Sequence, residues 1–181
     1  MSDTVTSAFR AAGHDAYSCD LLPSMHNSPY HWIGNVLEAA YNWQWDMGIF
    51  FPPCTFLTVA GARWFAERKI QQQQAIEFVE LLYAAPIKKI AIENPIGVLS
   101  TKSWIGKPSQ IIQPWWFGHG ETKATCLWLK NLPPLKATNV VEGRIPRVHY
   151  ESPQTINGLT RAMRRAIFLP GIAAAMAAQW K

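Results

Sequence analysis

The feature that most constrains the fold is a strand–helix–strand pattern in the middle of the chain. Residues 45–51 form an apolar stretch that ends at Pro52 and Pro53, because proline cannot donate a hydrogen bond to a β-ladder. Residues 62–84 follow with apolar positions at helical spacing, and residues 89–92 are a second short apolar stretch. A helix between two strands is typical of a βαβ unit. The sequence therefore predicts an α/β fold with a mostly parallel sheet.

Shorter elements are predicted on either side of this unit. Helices are expected over residues 4–12 and 36–41 and, interrupted at Pro170, over residues 160–181; strands are expected over residues 15–19, 31–33, 111–117 and 124–132. Residues 133–153 are rich in loop-forming types, and the polar run 71–74 is expected on a solvated turn of the long helix. Because there is no linker or internal repeat, the 181 residues are interpreted as a single domain with two halves, residues 1–95 and 96–181.

The composition indicates a globular protein of a reducing compartment. Hydrophobic residues make up 49% of the chain and charged residues 16%, which excludes a disordered chain. No apolar run reaches the roughly 18 residues of a membrane-spanning helix, and the N-terminus lacks a signal-peptide pattern. Neither the three cysteines nor the five histidines show the spacing of a metal site. We therefore expect a cytoplasmic protein with neither disulfides nor a bound metal.

Charge is distributed unevenly along the chain. Residues 1–93 carry six basic and nine acidic side chains, whereas residues 94–181 carry eleven basic and three acidic ones. A basic half suggests a polyanionic partner, DNA or a pyrimidine nucleotide, although a solvated basic surface explains the same asymmetry. The candidate nucleic-acid contacts are Lys123, Arg144, Arg147, Arg161, Arg164 and Arg165.

Residues 113–123 combine Trp115, Trp116 and Phe117 with glycines and charged residues. Aromatic side chains interleaved with basic ones can stack bases and bind phosphates. The same aromatic side chains could instead belong to the core. The stretch is therefore a candidate nucleic-acid site with a structural alternative.

Three side chains suited to chemistry follow predicted strands. Asp20, Cys54 and Glu93 each come at the C-terminal end of a predicted strand. Ligands of open α/β sheets bind just beyond the C-terminal ends of the strands, so these positions are expected to border one site. An aspartate after the second strand of a nucleotide-binding unit is suited to ribose hydroxyls.

Cys54 is suited to nucleophilic chemistry and Glu93 to acid chemistry. Pro52 and Pro53 rigidify the turn before Cys54, and a helix beginning near Ala60 could stabilise its thiolate. A carboxyl group in an apolar pocket, as expected for Glu93, has its pKa raised and can donate a proton near neutral pH. The structural alternatives are a buried inert cysteine, a glutamate that caps the next segment and, for the aspartate above, an ordinary turn residue.

Taken together, these motifs resemble the cytosine-5 DNA methyltransferase family. The nucleophile motif of that family, Pro-Cys at the end of the fourth strand, is matched by Pro53-Cys54, and its Glu-Asn-Val motif at the end of the fifth strand is matched by Glu93-Asn94-Pro95. Asp20 matches an acidic residue after the second strand, and Gly34-Asn35 matches a Gly-Asp pair after the third. Residues 170–175 resemble the C-terminal element that returns to the cofactor pocket. The whole chain is also similar to short cytosine methylase-like proteins of bacteriophages, which act in the host cytoplasm.

The resemblance implies a Rossmann-like methyltransferase fold and transfer of a methyl group from S-adenosylmethionine to C5 of cytosine. In this chemistry Cys54 attacks C6 of the ring and Glu93 protonates or hydrogen-bonds N3. The cofactor-binding candidates are Asp20, Asn35, Pro52 and Asn94. Two alternatives are a non-catalytic DNA-binding or host-interaction protein that keeps the fold, and an enzyme that modifies pyrimidine nucleotides.

The chain also departs from the family pattern. The family begins with an apolar strand and a Phe-x-Gly-x-Gly loop for the cofactor, whereas this chain begins at Met1-Ser2-Asp3, so we expect the first strand to be missing or truncated. The usual Pro-Cys-Gln is Pro-Cys-Thr at residues 53–55. From the missing strand we expect impaired binding of S-adenosylmethionine and an exposed sheet edge that a homodimer would cover.

Overall fold

The structure is a computed structural model that describes residues 2–59, 66–146 and 150–181. In chain order the elements of these ranges are α1 (Thr4–Ala11), β1 (Ser18–Asp20), β2 (His31–Ile33), α2 (Val36–Asn42), β3 (Met47–Phe50), α3 (Lys69–Ala84), β4 (Lys89–Pro95), α4 (Leu99–Lys102), β5 (Gln110–Ile112), a 3₁₀ turn (Pro114–Trp116), β6 (Thr125–Lys130), α5 (Arg161–Ala166) and α6 (Pro170–Gln179). The expectation of a mixed α/β protein is confirmed.

The chain divides into two compact units, each made of discontinuous segments. The first unit contains Met1–Asn35, Gln113–Lys123 and Leu135–Lys181. The second unit contains Val36–Ile112 and Ala124–Pro134.

The second unit is built on a four-stranded sheet in the order β3-β4-β6-β5. Strands β3 and β4 run parallel, with Phe50 opposite Ile92, but β6 is antiparallel to both β4 and β5. The sheet is therefore mixed, and the expectation of a mostly parallel sheet is corrected. The physical reason is the connection from β5 to β6, which contains only a 3₁₀ turn and lacks the crossover helix that a parallel pair usually needs.

Helix α3 covers one face of this sheet. Ile76, Val79 and Leu82 of the helix are almost completely buried, as are Ile92 and Trp128 of the sheet, and all five belong to one core cluster. Burial of each such side chain contributes about 1.5–3 kcal/mol. This contact holds α3 against β4 and so fixes the positions of the C-terminal ends of β3 and β4.

The first unit contains a parallel pair of short strands and a pair of helices. Strands β1 and β2 pair in register, with Asp20 opposite Ile33. Helices α1 and α6 pack together, and Phe9, Met176 and Trp180 are buried in this unit. Helix α6 begins at Pro170, whose fixed φ and missing N–H suit the first helical position.

Most elements agree with the sequence patterns, and the exceptions have local causes. The strand predicted over residues 111–117 ends at Ile112, because Pro114 begins a 3₁₀ turn. The long helix begins at Lys69, and the part predicted over residues 62–65 lies outside the described residues. Gln72 was expected on a solvated turn but is only 4% exposed.

Candidate active site

Cys54 lies on the turn that follows β3 and is exposed to solvent. Pro52 is buried before it, and the backbone N–H groups of Leu57 and Thr58 both donate to the carbonyl oxygen of Cys54 at 3.0 Å. The turn therefore holds the cysteine backbone in a fixed position while its side chain remains accessible. This exposure argues against the buried, inert alternative, which the sequence had left open.

Glu93 lies within the last part of β4, next to the end of β3. Since Phe50 is opposite Ile92 in the parallel pair, Glu93 is one residue beyond the last paired position. It is half-buried and pairs with Leu127 of β6 on its other side. Because side chains alternate along a strand, Glu93 points to the face opposite to that of Ile92 and α3. The two predicted catalytic residues thus come from neighbouring parallel strands that end at one edge of the sheet.

Asn94 connects β4 to the cysteine turn through a buried hydrogen bond. Its side-chain Nδ2 donates to the carbonyl oxygen of Pro52 at 3.0 Å, and Asn94 is only 1% exposed. Since a proline carbonyl can only accept, the orientation of the amide is fixed. Asn94 Oδ1 is buried without a hydrogen-bond partner in the described part of the chain, which costs about 1–3 kcal/mol. Asn94 and Pro52, both expected to bind cofactor, are bonded to each other.

The two loops at this edge are also joined by their backbones. Val98 N–H donates to Leu57 O at 2.8 Å, and Val59 N–H donates to Ile96 O at 3.3 Å. Gly97 lies between them, and a Cβ atom built there would be 2.0 Å from Leu57 O. Only glycine permits this approach, so the turn that carries Cys54 is fastened to the segment that follows Glu93.

Gln72 of α3 supports the same turn from the helix side. Its Nε2 donates to the carbonyl oxygen of Phe56 at 3.1 Å, and its Oε1 accepts a hydrogen bond from Lys102 Nζ at 2.5 Å. A buried amide with both ends satisfied is a specific contact and not a solvated position. This residue was missed in the sequence because nothing distinguishes it from its three glutamine neighbours.

Cys126 lies beside this site but is suited to a structural role. It is opposite Asn94 on β6 and is 2% exposed. Burial, and to a smaller extent the negative charge of Glu93, raises the pKa of the Cys126 thiol above its ordinary value. A thiol kept neutral in this way is a poor nucleophile. The helix expected near Ala60 to stabilise the Cys54 thiolate lies outside the described residues.

The cofactor candidates Asp20 and Asn35 lie in the first unit. Asp20 is the last residue of β1 and Asn35 comes two residues after β2, and a hydrogen bond from Gly34 N–H to Asp20 O at 3.0 Å joins the ends of these parallel strands. The half-buried Asp20 carboxylate accepts from Leu22 N–H through Oδ1, and in the described ranges its Oδ2 accepts no hydrogen bond. An uncommitted carboxylate oxygen at the end of a parallel strand fits the ribose hydroxyls of S-adenosylmethionine.

Two of the basic candidates have defined partners in the first unit. Arg164 forms a poorly exposed ion pair with Glu151 at 2.8 Å and donates to the carbonyl oxygens of Ser152, Gln154 and Leu159. At least four of its five N–H groups therefore donate within the protein, so at most one remains to bind a phosphate. Arg144 is exposed and lies over the ring of Trp115, with 3.7 Å between the guanidinium carbon and the ring centroid.

The other basic candidates differ in exposure. Lys123 Nζ donates to the carbonyl oxygen of Arg165 at 3.2 Å, and the side chain of Arg165 is exposed. Arg161 is half-buried, and its Nε has no hydrogen-bond partner within the described ranges. Arg147 lies outside the described residues. Arg144 and Arg165 are therefore the exposed candidates, whereas Lys123 is half-buried and hydrogen-bonded to the backbone of Arg165.

Among the residues that the structure describes, no group of three or more His, Cys, Asp or Glu side chains could hold a metal ion. None of the helices in the same ranges is long and apolar enough to cross a membrane. A scan against protein-family models and a search of curated proteins gave no match to this chain.

Proposed function

We propose that this protein transfers a methyl group from S-adenosylmethionine to C5 of cytosine in DNA, with Cys54 as nucleophile and Glu93 as proton donor. The observation that supports this most strongly is that an exposed thiol and a half-buried carboxyl group both lie at the C-terminal ends of neighbouring parallel strands. The strands that carry them are parallel neighbours, as the fourth and fifth strands of a Rossmann-like sheet are. The sequence motifs Pro53-Cys54 and Glu93-Asn94 lie at these two ends.

The reaction needs a covalent step because C5 of cytosine is a weak nucleophile. The Cys54 thiolate forms a bond to C6, and the electrons of the C5–C6 double bond move onto C5 and into the ring. Glu93 donates a proton to N3, which neutralises the charge that develops there. S-adenosylmethionine, when bound, would supply the methyl group that C5 takes up and would depart as the neutral thioether. C5 then loses its proton to water, N3 returns its proton to Glu93, the bond between Cys54 and C6 breaks, and the thiolate and the double bond are restored.

The fixed geometry of the turn supports this role for Cys54. Asn94 holds Pro52, Gln72 holds Phe56, and the backbone of Leu57 is joined to Val98. Rigid placement matters because a displacement of about 1 Å at a reacting atom can cost roughly a hundredfold in rate. In duplex DNA the target base also has to leave the stack before C6 is accessible to a thiol. Lys123, Arg144 and Arg165 provide the positive charge that binds the backbone phosphates.

The proposal is tested by measuring 5-methyldeoxycytidine in DNA after incubation with millimolar S-adenosylmethionine and digestion to nucleosides. We expect Cys54→Ser to abolish the product and Glu93→Gln to lower its rate by about 10²–10⁴-fold, the usual contribution of a general acid. Cys19→Ser is the matched control, because a serine hydroxyl keeps the hydrogen bond to Gly34 O. Product formed by Cys54→Ser at the wild-type rate would contradict the proposal. Methylation of free deoxycytidine monophosphate, but not of DNA, would favour the nucleotide-modifying alternative.

A further inference from the structure

Arg144 and Trp115 form a stacked pair whose position is fixed by the backbone around it. The guanidinium Nη1 donates to the carbonyl oxygens of Val141 at 2.8 Å and Gly143 at 2.5 Å. Both acceptors belong to the loop that carries Arg144 itself. The guanidinium group is therefore held over the indole ring in one conformation, whereas an ordinary surface arginine samples many.

The loop that carries Arg144 is in turn fastened to the segment that carries Trp115. Val141 N–H donates to Trp115 O at 3.0 Å, and Ile145 N–H donates to Gly120 O at 3.2 Å. Thr122 N–H returns a bond to Ile145 O at 3.0 Å. Gly143 adopts a φ of 99°, a conformation that suits glycine, where the two segments approach closely. The platform is thus rigid before any partner binds.

The Arg144 guanidinium retains binding capacity that its internal contacts do not use. Arg144 is exposed, and its Nε and Nη2 groups donate no hydrogen bond to any residue in the described part of the chain. It also forms no ion pair there. Arg10, a second closely stacked arginine in the described part of this unit, lies over Tyr30 at 3.4 Å but is ion-paired with Asp15 at 3.0 Å. The charge of Arg144 is therefore available to a ligand, whereas that of Arg10 is locally neutralised.

Two further cations are linked to this pair through hydrogen bonds. Lys123 follows Thr122, which is bonded to Ile145 next to Arg144. Lys123 Nζ also reaches the carbonyl oxygen of Arg165, whose side chain is exposed. A planar cation on an aromatic ring, with neighbouring positive charges, is the combination that binds unpaired nucleotides: bases stack on the plane and phosphates meet the cations.

We propose that the Arg144–Trp115 pair is a platform on which an unpaired base of single-stranded DNA stacks, with Lys123 and Arg165 on the adjacent phosphates. An unpaired base is required because the faces of paired bases are covered by their neighbours in a duplex. The inference deepens the proposed function, on which it rests for the identity of the partner as DNA, by assigning single-stranded DNA as the preferred form.

The test is fluorescence anisotropy with a labelled single-stranded oligonucleotide and with its duplex, at low and at physiological salt. Arg144→Lys keeps the charge but removes the plane, so affinity for the single strand should fall about 5- to 100-fold while the slope of log affinity against log salt stays unchanged. Affinity for the duplex should change less than twofold. Arg165→Gln should reduce the slope by about 0.7, because it removes one of the proposed phosphate contacts to the single strand.

Arg10→Lys is the matched control, since it removes a stacked guanidinium whose charge Asp15 already neutralises, and it should leave both affinities unchanged. The proposal would be overturned if Arg144→Lys bound the single strand as tightly as the wild type does. It would also be overturned if this variant lost affinity equally for the single strand and the duplex. Cys54→Ser separates methyl transfer from DNA binding, because this variant should bind the single strand as the wild type does. Loss of methyl transfer without loss of stacking, or the reverse, therefore identifies which of the two proposals fails.

Discussion

The close approach at Gly97 allows a direct test of how the cysteine turn is held. Gly97→Ala would place a Cβ atom 2.0 Å from Leu57 O, whereas real Cβ contacts essentially never fall below 3.0 Å. The carbonyl must therefore retreat by about 1 Å, the difference between these distances. Because Leu57 O accepts from Val98 N–H at 2.8 Å, such a shift takes that hydrogen bond beyond its normal range. The bond from Val59 N–H to Ile96 O, already at 3.3 Å, should be lost with it.

The expected cost follows from these two bonds. Each backbone hydrogen bond contributes about 0.5–1.5 kcal/mol, and leaving the N–H of the buried Val98 unpaired adds about 1–3 kcal/mol, so local stability should fall by about 2–6 kcal/mol. Hydrogen exchange measures this directly, because that loss corresponds to about 30- to 25,000-fold faster exchange of the Val59 and Val98 amides. Methyl transfer should fall with it, since Cys54 is on the same turn.

The matched control is Gly106→Ala, which makes the same chemical change at a position with no atom within 4 Å of the new Cβ. Its φ of 69° costs an alanine about 1 kcal/mol, but the turn after β3 should keep its protection. If Gly97→Ala leaves the exchange of Val59 and Val98 unchanged, the two loops are not in contact as described, and the argument for a fixed Cys54 fails.

Three further predictions concern stability and reactivity. Arg164→Ala should lower the free energy of unfolding by about 2–4 kcal/mol in urea denaturation, because it removes the poorly exposed ion pair with Glu151 and the donor to three carbonyl oxygens. Burial raises the pKa of Cys126 above the ordinary value of 9.0, so the folded state favours the neutral thiol. The free energy of unfolding should therefore fall as the pH rises above about 9, and this decrease should be smaller in Cys126→Ala. Iodoacetamide should modify the exposed Cys54 before the buried Cys126, as followed by peptide mass spectrometry; the reverse order would contradict the exposures of the two thiols.

The parts of the fold that the sequence predicted are those with a local cause. Prolines mark the end of β3 and the start of α6, and apolar periodicity marks α3 and β4. The positions of Cys54 and Glu93 at strand ends followed from the same signals. The direction of β6 could not be predicted in this way, because it depends on how the chain returns to the sheet and not on the residues of the strand itself.

The contacts that hold the site are long-range and left no such signal. Gln72 bonds to the carbonyl of Phe56, sixteen positions away, and to Lys102, thirty positions away. In the sequence it is one of four consecutive glutamines, and only the fold separates it from the other three. Gly97 is likewise required by a carbonyl on another loop, so its role becomes visible only when that loop is in place.

The most direct test of the central claim is covalent trapping on DNA that contains 5-fluorocytosine, in the presence of S-adenosylmethionine, with the adduct located by tandem mass spectrometry. Fluorine at C5 blocks the final elimination, because it cannot leave as a proton does, so the bond between the enzyme and C6 persists. We predict an adduct on the peptide that contains Cys54, its absence in Cys54→Ser, and its retention in Cys19→Ser. An adduct on Cys19 or Cys126, or one that survives in Cys54→Ser, would contradict the assignment of Cys54 as the nucleophile.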